Sequence, residues 1–334
     1  MHWKGATMRV VLWLVAAVAV LWTGYWFVGS RSVEKGIEAW AASQSDSGLE
    51  AGYEGLSVGG FPGRFDVALT APHLADPMAG TGWSAPDLLV TALAYAPWHL
   101  IAIFPQTQTV TLPDQTVTLT AEKLLGSVIF APGTSMALQR TRLSGNGLEL
   151  GSTFGWRAGA EQLNFATAVL QDARSHEIGL EMLKVTPDPA LSAAMPDLPS
   201  QIDRLHLDAS VTFDRPVDGT AASTPLRVTA IEVKDLSGIW GDAVLAGSGR
   251  ITADEFGRAE GQIDLRLDHW RKLMPLLVAT GTVTPEVAPT WERMLDYLAR
   301  DGGGDPDVLQ LPLTYRDGRA SLGPLPLGPA PQLN

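Results

Sequence analysis

Residues 10–28 read VVLWLVAAVAVLWTGYWFV, a run without one charged side chain. At about 1.5 Å of rise per residue such a run crosses the roughly 30 Å hydrocarbon core of a bilayer. Residues 1–30 are therefore expected to hold a short N-terminus and a transmembrane anchor. Val33, Ile37, Trp40 and Ala41 then recur at helical spacing, which predicts a juxtamembrane helix in 31–48 that reaches about Ser43. Ser45, Asp46, Ser47 and Gly48 end it.

Beyond residue 48 the dominant period is two, that of half-buried strands. In an N-terminal β region, 49–185, Phe65, Val67 and Leu69 alternate with small or polar residues, as do Val117 and Leu119. Leu163, Phe165 and Val169 lead through a polar turn at 171–175 into Ile178, Leu180 and Met182, the pattern of a hairpin. Residues 186–200 carry Pro187, Pro189, Pro196 and Pro199. They read as a linker, because proline interrupts strands and helix interiors.

A C-terminal β region, 201–334, follows. Leu205, Leu207, Ala209, Val211 and Phe213 form its clearest amphipathic strand, and the slip from Val228 and Ala230 to Ile231 and Val233 predicts a β-bulge. Helical spacing returns near 268–300. Asp268 is placed to cap a first segment kinked at Pro275, and Val287, Trp291, Met294, Leu295 and Leu298 share one face of a second that stops at 302–304. Residues 309–315 and 320–327 then flank Asp317-Gly318, a two-residue hairpin signal. The expected fold is mainly β: the anchor, an elongated, curved antiparallel domain built as a meander, and a small C-terminal helical insertion.

Lys4 and Arg9 precede the apolar run unopposed, whereas Arg31 and Lys35 behind it are matched by Glu34 and Glu38. The positive-inside rule puts the N-terminus in the cytoplasm and the bulk of the chain across the membrane. A cleaved signal peptide is the competing reading. Its apolar region usually spans about 7–15 residues and ends in small side chains. This run ends in Trp22, Tyr25, Trp26 and Phe27, which suit the interfacial belt of a retained helix.

A net charge of −12, from 24 basic and 36 acidic side chains, speaks against nucleic acid and against a polybasic grip on anionic lipid. The absence of cysteine removes disulfides, thiol nucleophiles and Cys-ligated metals. The six histidines never stand three or four apart, so no metal site is predicted. Ala246-Gly247-Ser248-Gly249-Arg250 lacks both outer glycines of a nucleophile elbow. Gly145-Asn146-Gly147 reads as a turn, since no phosphate-loop lysine follows. No catalytic residue and no cofactor is predicted. The least polar stretch outside the anchor is 88–104, where Leu93, Tyr95, Trp98, Ile101 and Phe104 form either an ordinary sheet core or an apolar lining for acyl chains.

Gly59-Gly60-Phe61-Pro62-Gly63-Arg64-Phe65-Asp66, Gly82-Trp83-Ser84-Ala85-Pro86 leading to Tyr95-Ala96-Pro97-Trp98-His99, Gly247-Ser248-Gly249 through Gly261, and Asp317-Gly318 before Leu322-Gly323-Pro324-Leu325-Pro326-Leu327 together carry a resemblance. With them the chain resembles the proteobacterial domain-of-unknown-function family 2125, and in shape it is similar to AsmA-like proteins of the bacterial envelope. The resemblance implies a single-pass inner-membrane protein with a periplasmic β domain, which is non-enzymatic and holds or passes phospholipid or another envelope lipid, or supports outer-membrane assembly. It implies no catalytic residues. A scaffold without a ligand cavity and an envelope hydrolase are the alternatives. Alkaline phosphatase fused after Asn334 should be active; an inactive fusion, with a cytoplasmic reporter active at the same point, would reverse the topology.

Overall fold

The computed structural model describes residues 3–46, 48–222, 224–281, 283–301 and 305–333. Strand makes up 52% of the chain and helix 21%, so the fold is mainly β. It divides into two compact units, residues 1–116 and 117–334.

Unit 1 opens with a single helix, α1 (Trp3–Asp46). The expected anchor and juxtamembrane helix are thus continuous, with Gly29 and Ser30 between them accommodated inside α1. The stop comes where the sequence placed it: Gly48 has φ +79°, and Gly48 and Leu49 donate to the carbonyls of Ser45 and Gln44. Ser47 lies outside the described residues. Eight short strands follow: β1 (Glu50–Gly52), β2 (Gly55–Gly59), β3 (Arg64–Thr70), β4 (His73–Asp76), β5 (Thr81–Ser84), β6 (Asp87–Leu93), β7 (Ala96–Ile103) and β8 (Thr107–Leu112). They form two antiparallel ladders, β2-β3-β6-β7 and β1-β4-β5-β8. The chain switches between ladders at Ala71-Pro72, Ala85-Pro86 and Phe104-Pro105, where proline withholds a donor from either one.

Unit 2 is one long meander. Strands β9 (Gln115–Thr120), β10 (Lys123–Phe130), β11 (Leu138–Ser152), β12 (Arg157–Val169) and β13 (Ser175–Thr186) are followed by a one-turn helix, α2 (Pro189–Ala193). Next come β14 (Ile202–Phe213), β15 (Val228–Trp240), β16 (Ala243–Ala253) and β17 (Ala259–Asp268). Two helices, α3 (Met274–Ala279) and α4 (Ala288–Asp301), precede β18 (Val308–Arg316), β19 (Arg319–Leu322) and β20 (Leu325–Pro329). From β10 to β20 every strand pairs antiparallel with the next, and β9 adds to the far end of β11.

Residues 186–200 are a connection inside this unit, since β13 and β14 on either side pair from Ser175↔Thr212 to Val185↔Ile202. Pro189 opens α2, where a missing N–H is harmless, and Met195 and Leu198 bury against Trp240 and Ala243. The predicted bulge is present, with pairing shifting between Thr212 and Phe213 and again between Asp208 and Ala209. The helical insertion differs in one detail. Asp268 ends β17, and His269, in the left-handed region, starts the turn into α3 without a side-chain cap. In α4 the predicted face packs on the sheet, Leu295 buried with Trp291, Met294 and Leu298 around it, although Val287 is exposed. Residues 302–304 lie outside the described residues. Asp317-Gly318 turns at φ +53° and +71°, as a two-residue hairpin requires.

His176 is buried in unit 2, and its Nε2 has no hydrogen-bond partner among the described residues. Burial pushes its pKa down, partly opposed by Asp172. The folded state therefore holds the neutral ring while the unfolded chain protonates near about 6.5, so stability is present above that pH and is lost as pH falls below it. The melting temperature should drop between about pH 7.5 and 5.5, and His176→Leu should flatten that drop; an unchanged slope would show that His176 is not its source.

Candidate functional site

In unit 1 the last aromatics of the apolar run face the protein's own β hairpin. The indole N–H of Trp22 donates to the carbonyl of Pro62 at 2.9 Å, the hydroxyl of Tyr25 to Ala94 at 2.8 Å, and the indole N–H of Trp26 to Arg64 at 2.7 Å. Trp26 is 5% exposed and clusters with Phe65 and Ala94, its ring stacked on Phe65 at 5.9 Å between centroids. Gly29 permits the contact, because a Cβ there would sit 2.7 Å from the Phe65 ring. Gly60, at φ +94°, turns the β2–β3 hairpin so that Phe61 reaches back to Trp26 and Phe27.

The residues singled out in 88–104 do not share one surface. Leu93 and Tyr95 flank the β6–β7 turn and are exposed. Trp98 lies in β7 within the shifted pairing beyond Ala92, and is also exposed. Ile101 pairs with Thr91, whose hydroxyl donates to Asp66 at 2.5 Å. It therefore sits on the face opposite Phe65, and it is 36% exposed. Phe104 follows β7 and packs edge-on against Trp83.

A far larger apolar surface emerges from the register of unit 2. Leu143, Phe165, Leu180, Leu207 and Leu236 pair in turn across β11 to β15. Two residues along, hence on the same face, Leu163, Met182 and Leu205 pair across β12 to β14. Both rows continue into β17 and β18 through Leu265 and Leu311, and through Leu267 and Leu309. There α3 and α4 cover them, and Leu309 and Leu311 are buried. On β11 to β15 all eight of these large side chains keep partial exposure, and none joins a buried cluster.

The opposite face is polar, crossed by ion pairs such as Arg204–Glu181 (2.9 Å) and Lys234–Glu177 (2.6 Å), while Lys184–Asp203 (2.6 Å) stands two residues beyond Met182 and Leu205, where the leucine rows end. Such exposed pairs add little stability each but penalise slippage of the ladder. Lys184 holds the Asp203 carboxyl below its usual range. His206 lies 3.7 Å from Asp235 on the polar face.

Among the described residues the buried Ser175 and His176 form no catalytic pair. Ser175 and His176 are adjacent in β13 and so point to opposite faces; Ser175 bonds to Asp172 at 2.6 Å and Thr212 at 2.8 Å instead. A groove of about 690 Å³ between the ends of β9, β11, β12 and β13 is lined by Glu149, Arg157, Glu161 and Lys184 among smaller side chains. No histidine lines it, and Leu148, Leu150, Ala158 and Ala160 supply the apolar part of its wall. Among the described residues no three His, Asp or Glu side chains converge as metal ligands.

Residues 26–331 match the family described as an uncharacterized protein conserved in bacteria, DUF2125. The chain belongs to the DUF2125 family. No curated protein matches it. The match on this DUF2125 member opens at Trp26, whose side chain is buried against Phe65, and runs on through both units. α1 is long and apolar enough to cross a membrane, almost entirely unburied along residues 11–45.

Exposure separates two substitutions in unit 1. Ile101→Asp should lower stability by no more than about 1 kcal/mol, since the side chain already meets water. Trp26→Ala should cost about 3–5 kcal/mol. Denaturant titration of the full chain checks both, and a collapse with Ile101→Asp would show that its face is covered.

Proposed function

We propose that this DUF2125 member is a non-enzymatic protein of the bacterial envelope, anchored in the inner membrane by a retained α1, with its β units in the periplasm, where the apolar face of unit 2 holds lipid acyl chains. The observation that carries the reading is the pair of leucine-rich rows on β11 to β15. Four ladder steps of about 4.8 Å give the longer row a width of roughly 19 Å. A contiguous apolar surface of that size, left partly open beside an end that helices seal, marks a binding surface for an apolar partner. Acyl chains suit it better than a polar ligand, because its side chains offer no hydrogen-bond groups.

Retention of α1 is supported by Trp26 and Gly29. Cleavage near Ser30 would remove the side chain stacked on Phe65 and leave the carbonyls of Pro62, Arg64 and Ala94 without their donors. Unopposed Lys4 and Arg9 support the orientation.

Native mass spectrometry after gentle detergent extraction should show phospholipid on the wild-type chain. Leu180→Asp combined with Leu207→Asp should reduce occupancy at least tenfold, equal to about 1.4 kcal/mol, while melting stays cooperative. A wild-type chain free of lipid, or a folded double variant that keeps its lipid, would leave the scaffold reading in place of this one.

A further inference from the structure

The clasp in the middle of α1, near the end of its apolar run, sets a length problem for the bilayer. Trp22, Tyr25 and Trp26 hold the β2–β3 turn and Ala94 to the helix, yet all three lie inside the charge-free run 10–28. Twelve residues of that run precede the clasp, about 18 Å at 1.5 Å each, well short of the roughly 30 Å core. Moving the span upstream would take Arg9 into the hydrocarbon, which is costly. Moving it downstream takes the turn into the membrane.

The turn has the chemistry of the second solution. Phe61 is 51% exposed and Tyr95 65%, with Leu93 exposed beside them. Phe27, itself exposed, stacks on Phe61 at 6.1 Å, so the apolar surface passes from helix to turn without a gap. Pro62 and Gly63 carry no charge, and the carbonyls of Pro62, Arg64 and Ala94 already accept side-chain donors, which removes part of the penalty for placing irregular backbone near hydrocarbon. The charged neighbour, Arg64, is exposed and 3.3 Å from Asp66; its long stem lets the guanidinium reach the headgroups.

We infer that Phe61, Pro62, Leu93 and Tyr95 form a second membrane contact, inserted into the leaflet from which α1 emerges. The partner is the bilayer that α1 crosses, and the contact is the interfacial, apolar kind that supplements an anchor. It fixes unit 1 at the lipid surface at two points, so that the strands of β2 and β3 cannot swivel about the helix. The inference rests on retention of α1 but not on lipid binding by unit 2.

The chain has no cysteine, so a single introduced thiol is labelled without ambiguity. Phe61→Cys, Tyr95→Cys and Met78→Cys, the last in the fully exposed β4–β5 turn, are each coupled to an environment-sensitive nitrobenzoxadiazole dye. The full chains are reconstituted in vesicles of phosphatidylethanolamine and phosphatidylglycerol, and intact mass confirms that each starts at Met1. The dyes at 61 and 95 should emit to the blue of the dye at 78, and should be quenched severalfold more by nitroxide-bearing lipid than by aqueous iodide. Iodide quenching of both at the level of the Met78→Cys dye would overturn the insertion. Tyr95 has its ring outside the Trp26 cluster, so the Tyr95→Cys dye decides even where Phe61→Cys loosens the turn. A mass beginning near Ser30 would overturn the retained anchor itself, a separate result seen before any quenching.

Discussion

Everything in unit 2 depends on keeping a two-residue alternation in phase over eight consecutive strands, β11 to β18. A slip of one residue anywhere would send a leucine row to the polar face and its ion pairs to the apolar one. The critical place is β15, whose apolar residues do not keep a constant parity: Val228 is followed by Ile231 and Val233, and then by Leu236 and Gly238. Bulges absorb both changes. Phe213 and Val211 pair with Val228 and Ile231, while Ala209 and Leu207 pair with Val233 and Leu236, so two steps on β14 match three on β15 at each site. On the other edge, Val233 and Leu236 meet Gly249 and Gly247. The extra residues, Thr229 and the Lys234-Asp235 pair, are polar, and Lys234 turns toward Glu177 and Asp208. The bulges are thus what make the apolar face continuous.

That continuity carries a thermodynamic cost, because the helices reach only the margins of the face. Trp270, Met274, Leu295 and Ala299 seal β17 and β18, and α2 with Met195 and Leu198 seals the edge near Trp240. Between them the leucines shield one another within the sheet but not from above. A sheet face left this way gains free energy when apolar matter covers it, at about 25 cal/mol for each Å² removed from water. The same physics operates on a smaller scale in unit 1, where Phe61 and Phe27 stack at the margin of the membrane run. There, however, the polar atoms of three aromatics are used up internally, so the site is committed to an orientation as well as to an apolar neighbour.

Much of this architecture could be read before folding. The apolar run without charge, the alternation at Leu205 to Phe213, the α4 face and the Asp317-Gly318 turn are all local patterns, and each appears as an element where its residues predict it. The bulge in β15 was legible too, since a parity change within one strand has few other solutions. The proline-rich segment 186–200 misled in organisation because composition alone cannot report that the strands on either side pair. Likewise, local apolar density drew attention to 88–104, whereas the larger face is spread at one or two leucines per strand. No window of adjacent residues displays it.

The sequence by itself determined the long apolar run, the mainly β character, the meander of unit 2 and the family, because these depend on neighbours along the chain and on alternation within a strand. Tertiary structure alone decided which alternating positions face one another across strands, and what the anchor's terminal aromatics touch. Those are contacts between residues tens of positions apart, such as Trp22 with Pro62, Tyr25 with Ala94 or Leu207 with Leu236, and register and docking set them rather than local propensity. The aromatics that suit an interfacial belt in one dimension prove in three to hold the protein's own hairpin, because a buried indole N–H needs an acceptor and a hairpin carbonyl supplies it.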